Sequence, residues 1–259
     1  MDNVTTEDRG PVRHVVLDRP EKRTAMNEAL IAELHDALAA AAADADVRVL
    51  VIRGEGAMFS SGLDHAALGA LAAEPERLRE LRRGILATWN LCEEMTKPTI
   101  AEIHGACLGG AMELALACDL RTMAADAAIG LVETRVGLVP DVGGSSRLPS
   151  VVGLGRAKEM ILASKVIDGT EAERIGLVNR VAPAAELGAA TQQLADELLA
   201  CAPIAVGLAK RILDSVAKPT LAASLEQEVT AQAVCARSED FGEAIRSFVE
   251  KRPPSFSGR

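Results

Sequence analysis

Apolar positions along this chain fall into short dense runs separated by longer stretches in which they recur every three or four residues. The β-branched runs VRHVVL (Val12–Leu17), VRVLVIR (47–53) and TIAEI (Thr99–Ile103) have strand length and strand composition. Between the first two, Leu30, Ile31, Leu34 and Leu38 line one helical face, and Asn27 stands where an N-cap belongs. Strands that alternate with helices predict a layered α/β core whose strands are largely buried. One further run, IHGACLGGAMELALACD (103–119), is apolar or glycine from Gly105 to Cys118 except for Glu113. The pair Gly109 and Gly110 predicts a tight turn opening into a helix that is apolar all round and therefore buried. Glu113 then falls in the first turn, where unpaired N–H groups and the helix dipole favour a carboxylate while burial opposes its ionisation. Opposed influences of this kind tune a proton-transfer group; a structural cap or ion pair is the other reading.

After Asp119 the text becomes short extended segments cut by Gly130, Gly137, Pro140, Gly143 and Gly144, read as turns and loops that approach a ligand closely. Thr170 and Glu173 suggest a capping box before a strand-like run at 177–181. From Ala184 onward the composition is helical, with breaks near Pro203 and Pro219. These shifts suggest an α/β core over 1–200 and a helical region over 201–259, whose apolar row Ile204, Leu208 and Ile212 a lone appendage would struggle to bury.

Composition narrows the function. With 259 residues, a net charge of −9, a pI near 5.1, no Tyr, one Trp and four Phe, there is neither a basic surface nor a stacking platform for nucleic acid. No apolar run reaches bilayer length, and the opening MDNVTTEDRG has no basic-then-apolar leader pattern, so a cytoplasmic protein without membrane contact is expected. The five cysteines include no C-x-x-C pair and read as reduced thiols, with Cys107 and Cys118 as small core fillers. His14, His35, His65 and His104 lack the spacing of a metal site, so no metal is expected. GLGRAK at 153–158 lacks the third glycine of a dinucleotide loop, and Ser60, Ser61, Ser145 and Ser146 lie outside any G-x-S-x-G.

Two segments, MFSSGLD (58–64) and IHGACLGG (103–110), each follow a strand and place small residues where a backbone N–H can meet a ligand oxygen; two such donors converging make an oxyanion hole. Together with KPTIAEIHGACLGGAMELALACDL, IGLVETRVGLVPDVGGSSRLP and the ending FVEKRPPSF, they resemble the crotonase superfamily, specifically enoyl-CoA hydratase/isomerase proteins, from about Val12 to Phe256. The resemblance implies a spiral of ββα units with a C-terminal helical region that packs into trimers or hexamers. It implies an acyl-CoA thioester as substrate, with coenzyme A as part of that substrate and no separate cofactor. Carried onto this chain, the oxyanion donors are the N–H groups of Ser61 and Gly110, and the acid pair is Glu113, to deprotonate water, and Glu133, to protonate Cα. Arg23, Ala25, Ser60, Gly62, Leu63, Asp64, Gly109, Phe248 and Lys251 are the implied substrate and coenzyme A contacts, with Arg13, Lys22 and Arg252 as further cations. Segment 66–87 is the implied determinant of acyl-chain depth.

The chain departs from the family pattern at Thr24, where Asn is usual, at Val132, where Pro precedes the glutamate, and at Asp141, where hydratases carry Gly or Ala and some isomerases an aspartate that handles a substrate proton. Asp141 is expected to cap its own loop, with proton transfer as the alternative. The implied activity is hydration of a 2-trans-enoyl-CoA; double-bond isomerisation through Glu133 or Asp141 and non-catalytic acyl-CoA binding are the competing readings.

Overall fold

The structure, a computed structural model, describes residues 3–64 and 75–258. His65 and the first part of segment 66–87 lie outside the described residues. A six-stranded sheet forms from β1 (Val4–Arg9), β2 (Val12–Leu17), β3 (Val49–Gly54), β4 (Thr99–Ile103), β6 (Leu120–Ala124) and β9 (Arg180–Ala182), in that spatial order. Only β1 and β2 pair antiparallel within it; the other neighbours are parallel. A smaller sheet joins β5 (Cys107–Leu108), β7 (Ala128–Gly130) and β8 (Ile167–Asp168).

Alternation along the strands explains why they read as unbroken apolar runs. Val15, Leu17, Leu50, Ile52, Ala101 and Ile103 face the main core with α1 (Glu28–Ala43), α2 (Pro75–Glu94) and α3 (Gly110–Ala117), whereas Val12, Val49, Val51 and Ile100 face α7 (Leu187–Leu199). Both faces are therefore covered, as parallel strands require. Asn27 caps α1 as expected, its side chain accepting from the Leu30 N–H at 2.9 Å, and the predicted apolar face is the buried one. All eight residues of α3 are buried, with Glu113 in its first turn.

The polar segment Val4–Arg9, for which the sequence pattern predicts no element, is an edge strand whose pairing to β2 is supplied by the backbone. Two local expectations are corrected. Asp168, not Thr170, caps α6 (Gly169–Arg174), because Asp168 is extended and accepts from Glu171 N–H at 2.8 Å while Thr170 already lies inside the helix. The glycine-rich stretch read as loops ends in a helix, α4 (Gly144–Val152), followed by α5 (Leu154–Leu162). The C-terminal helices are α8 (Pro203–Ala217), α9 (Leu221–Cys235) and α10 (Glu239–Glu250). On α8, Ile204, Leu208, Ile212, Leu213 and Val216 are 56–79% exposed, so the predicted apolar row lies uncovered in the single chain.

Candidate active site

Two chain segments meet side by side at the start of α3. A parallel bridge between Ser60 and Cys107, with Ser60 N–H donating to Ala106 O (3.0 Å) and Leu108 N–H to Ser60 O (3.2 Å), lays residues 60–63 beside 107–110. Gly109 holds φ 55° and ψ −129°, a conformation only glycine adopts readily, and its N–H donates to Gly130 O at 2.9 Å. Gly110 is the first residue of α3, so its N–H has no partner within the helix. The Leu63 side chain packs on Gly110: a Cβ there would lie 3.1 Å from Leu63 Cγ.

The Ser61 N–H turns the other way. It donates to Arg23 O (3.1 Å), Ser60 Oγ donates to Thr24 O (2.7 Å) and accepts from Gly62 N–H (3.1 Å), and Met26 and Gly62–Asp64 exchange two further backbone bonds. Of residues 60–64, Leu63 alone has no acceptor for its N–H among the described residues. The Ser61 N–H, expected as an oxyanion donor, is thus occupied by Arg23 O, and the amide left without an acceptor in this segment, beside Gly110, is that of Leu63. Arg23 and Thr24 both adopt left-handed φ (56° and 51°). Thr24 therefore holds a backbone that the usual Asn would adopt more easily, since Asn tolerates the left-handed region better than a β-branched residue.

Four acids converge behind these segments. Glu113, 2% exposed, accepts through Oε1 from the N–H groups of Val142 (3.0 Å) and Gly144 (2.8 Å). Burial, then the charges of Glu133, Asp141 and Glu228, push its carboxyl well above the ordinary range, against the pull of Gly144 N–H. The β5–β7 pairing sets Glu133, in the turn after β7, next to Gly109: a Cβ on Gly109 would stand 3.0 Å from Glu133 Oε1. Burial pushes Glu133 up to about 7, against the Glu133 and Val132 amides, and its Oε2 is buried without a hydrogen-bond partner. Asp141 is also pushed up to about 7 by burial, despite Arg82 Nε at 3.5 Å from Oδ2, an oxygen that makes no hydrogen bond.

The loop carrying Asp141 is capped by other residues than expected. Val142 and Gly144 donate to Glu113, whereas Gly143 N–H (3.0 Å) and Ser146 N–H (2.7 Å) donate to Glu228. Asp141 therefore serves no cap for the amides that follow it, and its carboxylate is left to the acid cluster. Gly144 is required by contact, since a Cβ would fall 2.8 Å from Glu113 Oε1 and 2.7 Å from Pro140 Cβ. Buried Arg147 braces the loop from below through Val142 O (3.1 Å), Asn90 and Glu93. Sequence reasoning missed Glu228, Arg82 and Arg147; each acts through a partner far away in the chain.

The remaining candidates divide. Asp64 pairs with Arg19 (3.3 Å), which also donates to Ala25 O (2.5 Å), so Ala25 and Asp64 are fixed beside the Ser60–Gly62 segment. Arg23 is exposed on the same loop. Arg13 is engaged by Asp8 and Asp44, and Arg252 by Glu243 and Glu250. Phe248 and Lys251 are exposed two turns and more beyond Phe241, the residue through which α10 meets Gly137 below Glu133. His104 Nε2 lies 3.0 Å from Gly56 O, a structural bond. Among the described residues no helix is long and apolar enough to cross a membrane.

A model of the enoyl-CoA hydratase/isomerase family matches residues 7–259. The human enoyl-CoA hydratase domain-containing protein 2, mitochondrial, is 38% identical, with 96% of this chain and 86% of that protein covered. A crotonyl-CoA hydratase of Syntrophomonas wolfei is 34% identical with 98% of each covered. Among solved structures, an enoyl-CoA hydratase from Mycobacterium avium subsp. paratuberculosis superposes with a TM-score of 0.88 at 28% identity, covering 98% of both chains. The α/β fold is therefore the crotonase fold expected from the sequence.

Proposed function

Since the chain belongs to the enoyl-CoA hydratase/isomerase family, we propose that it hydrates a 2-trans-enoyl-CoA to the 3-hydroxyacyl-CoA. The observation that carries this reading is the pairing of buried Glu113 with half-buried Glu133, whose Oε2 is itself buried, beside the Gly110 and Leu63 amides, which have no acceptor among the described residues. The thioester oxygen sits between those amides, each worth roughly 3 kcal/mol to a developing enolate. Glu113, held in place by two N–H groups, takes in its ionised form a proton from water as the oxygen bonds to Cβ. Glu133, whose carboxyl holds its proton to about pH 7, donates it to Cα. The exposed Arg23 loop, with Phe248 and Lys251 supplied from the same or a neighbouring subunit, is assigned to coenzyme A.

The test is the ultraviolet absorbance of the conjugated thioester. Hydration of crotonyl-CoA or a longer 2-enoyl-CoA removes it, conversion of a 3-enoyl-CoA creates it, and binding alone leaves it unchanged. Loss of absorbance with 2-enoyl-CoA is expected; no change with any of these substrates would leave only the binding function.

One observation favours isomerisation as a second reading: the buried, unbonded Oδ2 of Asp141. Asp141→Asn is expected to keep hydration within about threefold, because the general acid and base of that reaction lie elsewhere. If the wild type shifts the double bond of a 3-enoyl- or 3,5-dienoyl-CoA instead, and Asn abolishes that shift, isomerisation is the activity and hydration is not.

A trimer or a dimer of trimers is also proposed, with the exposed apolar row of α8 in an interface. Light scattering is expected to give three or six copies. A fully active monomer at micromolar concentration would exclude the assembly.

A further inference from the structure

We propose that Glu228 is a positioning residue for the reaction: from α9 it grips the 139–146 loop so that the Val142 and Gly144 N–H groups are aimed at Glu113. The proposal rests on the reading of Glu113 as the catalytic base.

The buried residues of α9 are Leu225, Glu228 and Gln232, spaced so that they share one helical face. Every one of them binds the site polarly. Leu225 O accepts from Arg82 Nη2, whose Nε also donates to Asp141 O at 2.7 Å. Gln232 Oε1 accepts from Val139 N–H at 3.1 Å. Glu228 Oε2 accepts from Gly143 N–H at 3.0 Å, and Oε1 from both Ser146 N–H (2.7 Å) and Ser146 Oγ (2.5 Å).

The loop's amides are thereby sorted. Val142 and Gly144 point to Glu113, Gly143 and Ser146 to Glu228, so two carboxylates 2% and 6% exposed hold the loop from opposite sides. Glu228 is a poor choice for stability alone. It is a buried acid near Glu113 and Asp141, with Arg82 Nη2 3.9 Å away as its cation, and a neutral residue would avoid the repulsion. What the carboxyl group supplies is two acceptors set at a fixed separation, which fix the Val142–Gly143 and Ser145–Ser146 peptide planes and so the direction of the Val142 and Gly144 amides that adjoin the first of them. Rotation of those planes would withdraw the donors from Glu113 Oε1, and catalysis is sensitive to displacements of this size.

A double-mutant cycle reads the connection. Glu228→Ala is expected to lower kcat for 2-enoyl-CoA hydration about tenfold or more with KM changed less than about threefold, whereas Glu228→Gln, which keeps one acceptor oxygen, recovers most of that loss. In a Glu113→Gln background the same Glu228→Ala change is expected to cost less than about twofold, because the residue acts through Glu113. All rates are taken per folded protein, with near-native circular dichroism as the criterion. If the alanine variant does not fold, the cycle is run with Glu228→Gln, expected to lose about threefold alone and nothing further beside Glu113→Gln. Multiplicative losses in the two backgrounds, or full activity of Glu228→Ala, overturn the proposal while leaving Glu113 in place. Near-normal turnover of Glu113→Gln alone is a different failure, that of the hydration reading itself.

Discussion

Glutamine at position 113 or at position 133 is expected to lower hydration of a 2-enoyl-CoA by at least about a hundredfold, the scale of general acid–base assistance. The two substitutions probe different parts of one proton circuit. Glu113→Gln keeps an acceptor oxygen for Val142 and Gly144 N–H, which now hold Glu113 Oε1 at 3.0 and 2.8 Å, so the loop geometry survives and only the proton acceptor is lost. At position 133 the amide would occupy the volume of a carboxyl whose Oε2 has no partner, so packing is little disturbed while the proton donor disappears. Acyl-CoA affinity is expected to stay within a few fold in both, since the proposed mechanism holds the carbonyl by backbone amides. The double variant should lose far less than the product of the single losses, because both groups act on one transition state. Steady-state rates from the decay of thioester absorbance, with affinity from calorimetry, check each part. Turnover within about threefold of wild type by either single variant would remove the two-glutamate mechanism.

What was legible in the chain follows from how local each signal is. Strands buried on both faces declare themselves as apolar runs, and Val12–Leu17 and Thr99–Ile103 end where the runs end. Glu113 was conspicuous because an ionisable side chain in an all-apolar helix has to be explained by its neighbours. The edge strand Val4–Arg9 was not legible, because its side chains are largely solvated and its order comes from the partner strand's backbone. The choice between the Ser61 and Leu63 amides turned on the 20–26 loop, since which N–H groups stay free depends on the Arg23 and Met26 carbonyls. Glu228 lies 82 to 85 residues from the amides it binds, and in sequence it is one more acid in a polar helix. Side chains that act through distant backbone leave no spacing to read.

Glu133→Gln is also expected to stabilise the protein, and to do so only on the alkaline side. In the folded chain burial raises the Glu133 carboxyl from the ordinary 4.5 to about 7. A carboxyl raised in this way contributes its stability below the unfolded value, and that contribution is lost as the pH rises through the folded value. Above pH 7 the native state carries a buried charge that the unfolded chain holds in water. At about 1.4 kcal/mol per pH unit the penalty is on the order of 3 kcal/mol. Glutamine abolishes it and adds a second relief, because the negative charge that raises Glu113 is gone. Asp141 and Glu228 remain in both proteins and largely cancel from the comparison. Thermal unfolding at fixed protein concentration should therefore find the variant and wild type alike near pH 4.5, with the variant higher by roughly 5 °C at pH 8. The divergence should open between about pH 5 and 7, the interval that separates the two proton affinities. A melting difference that is flat across pH, or a variant less stable than wild type at pH 8, would mean that Glu133 is not held at a cost to the fold and that its proton is not retained near neutrality.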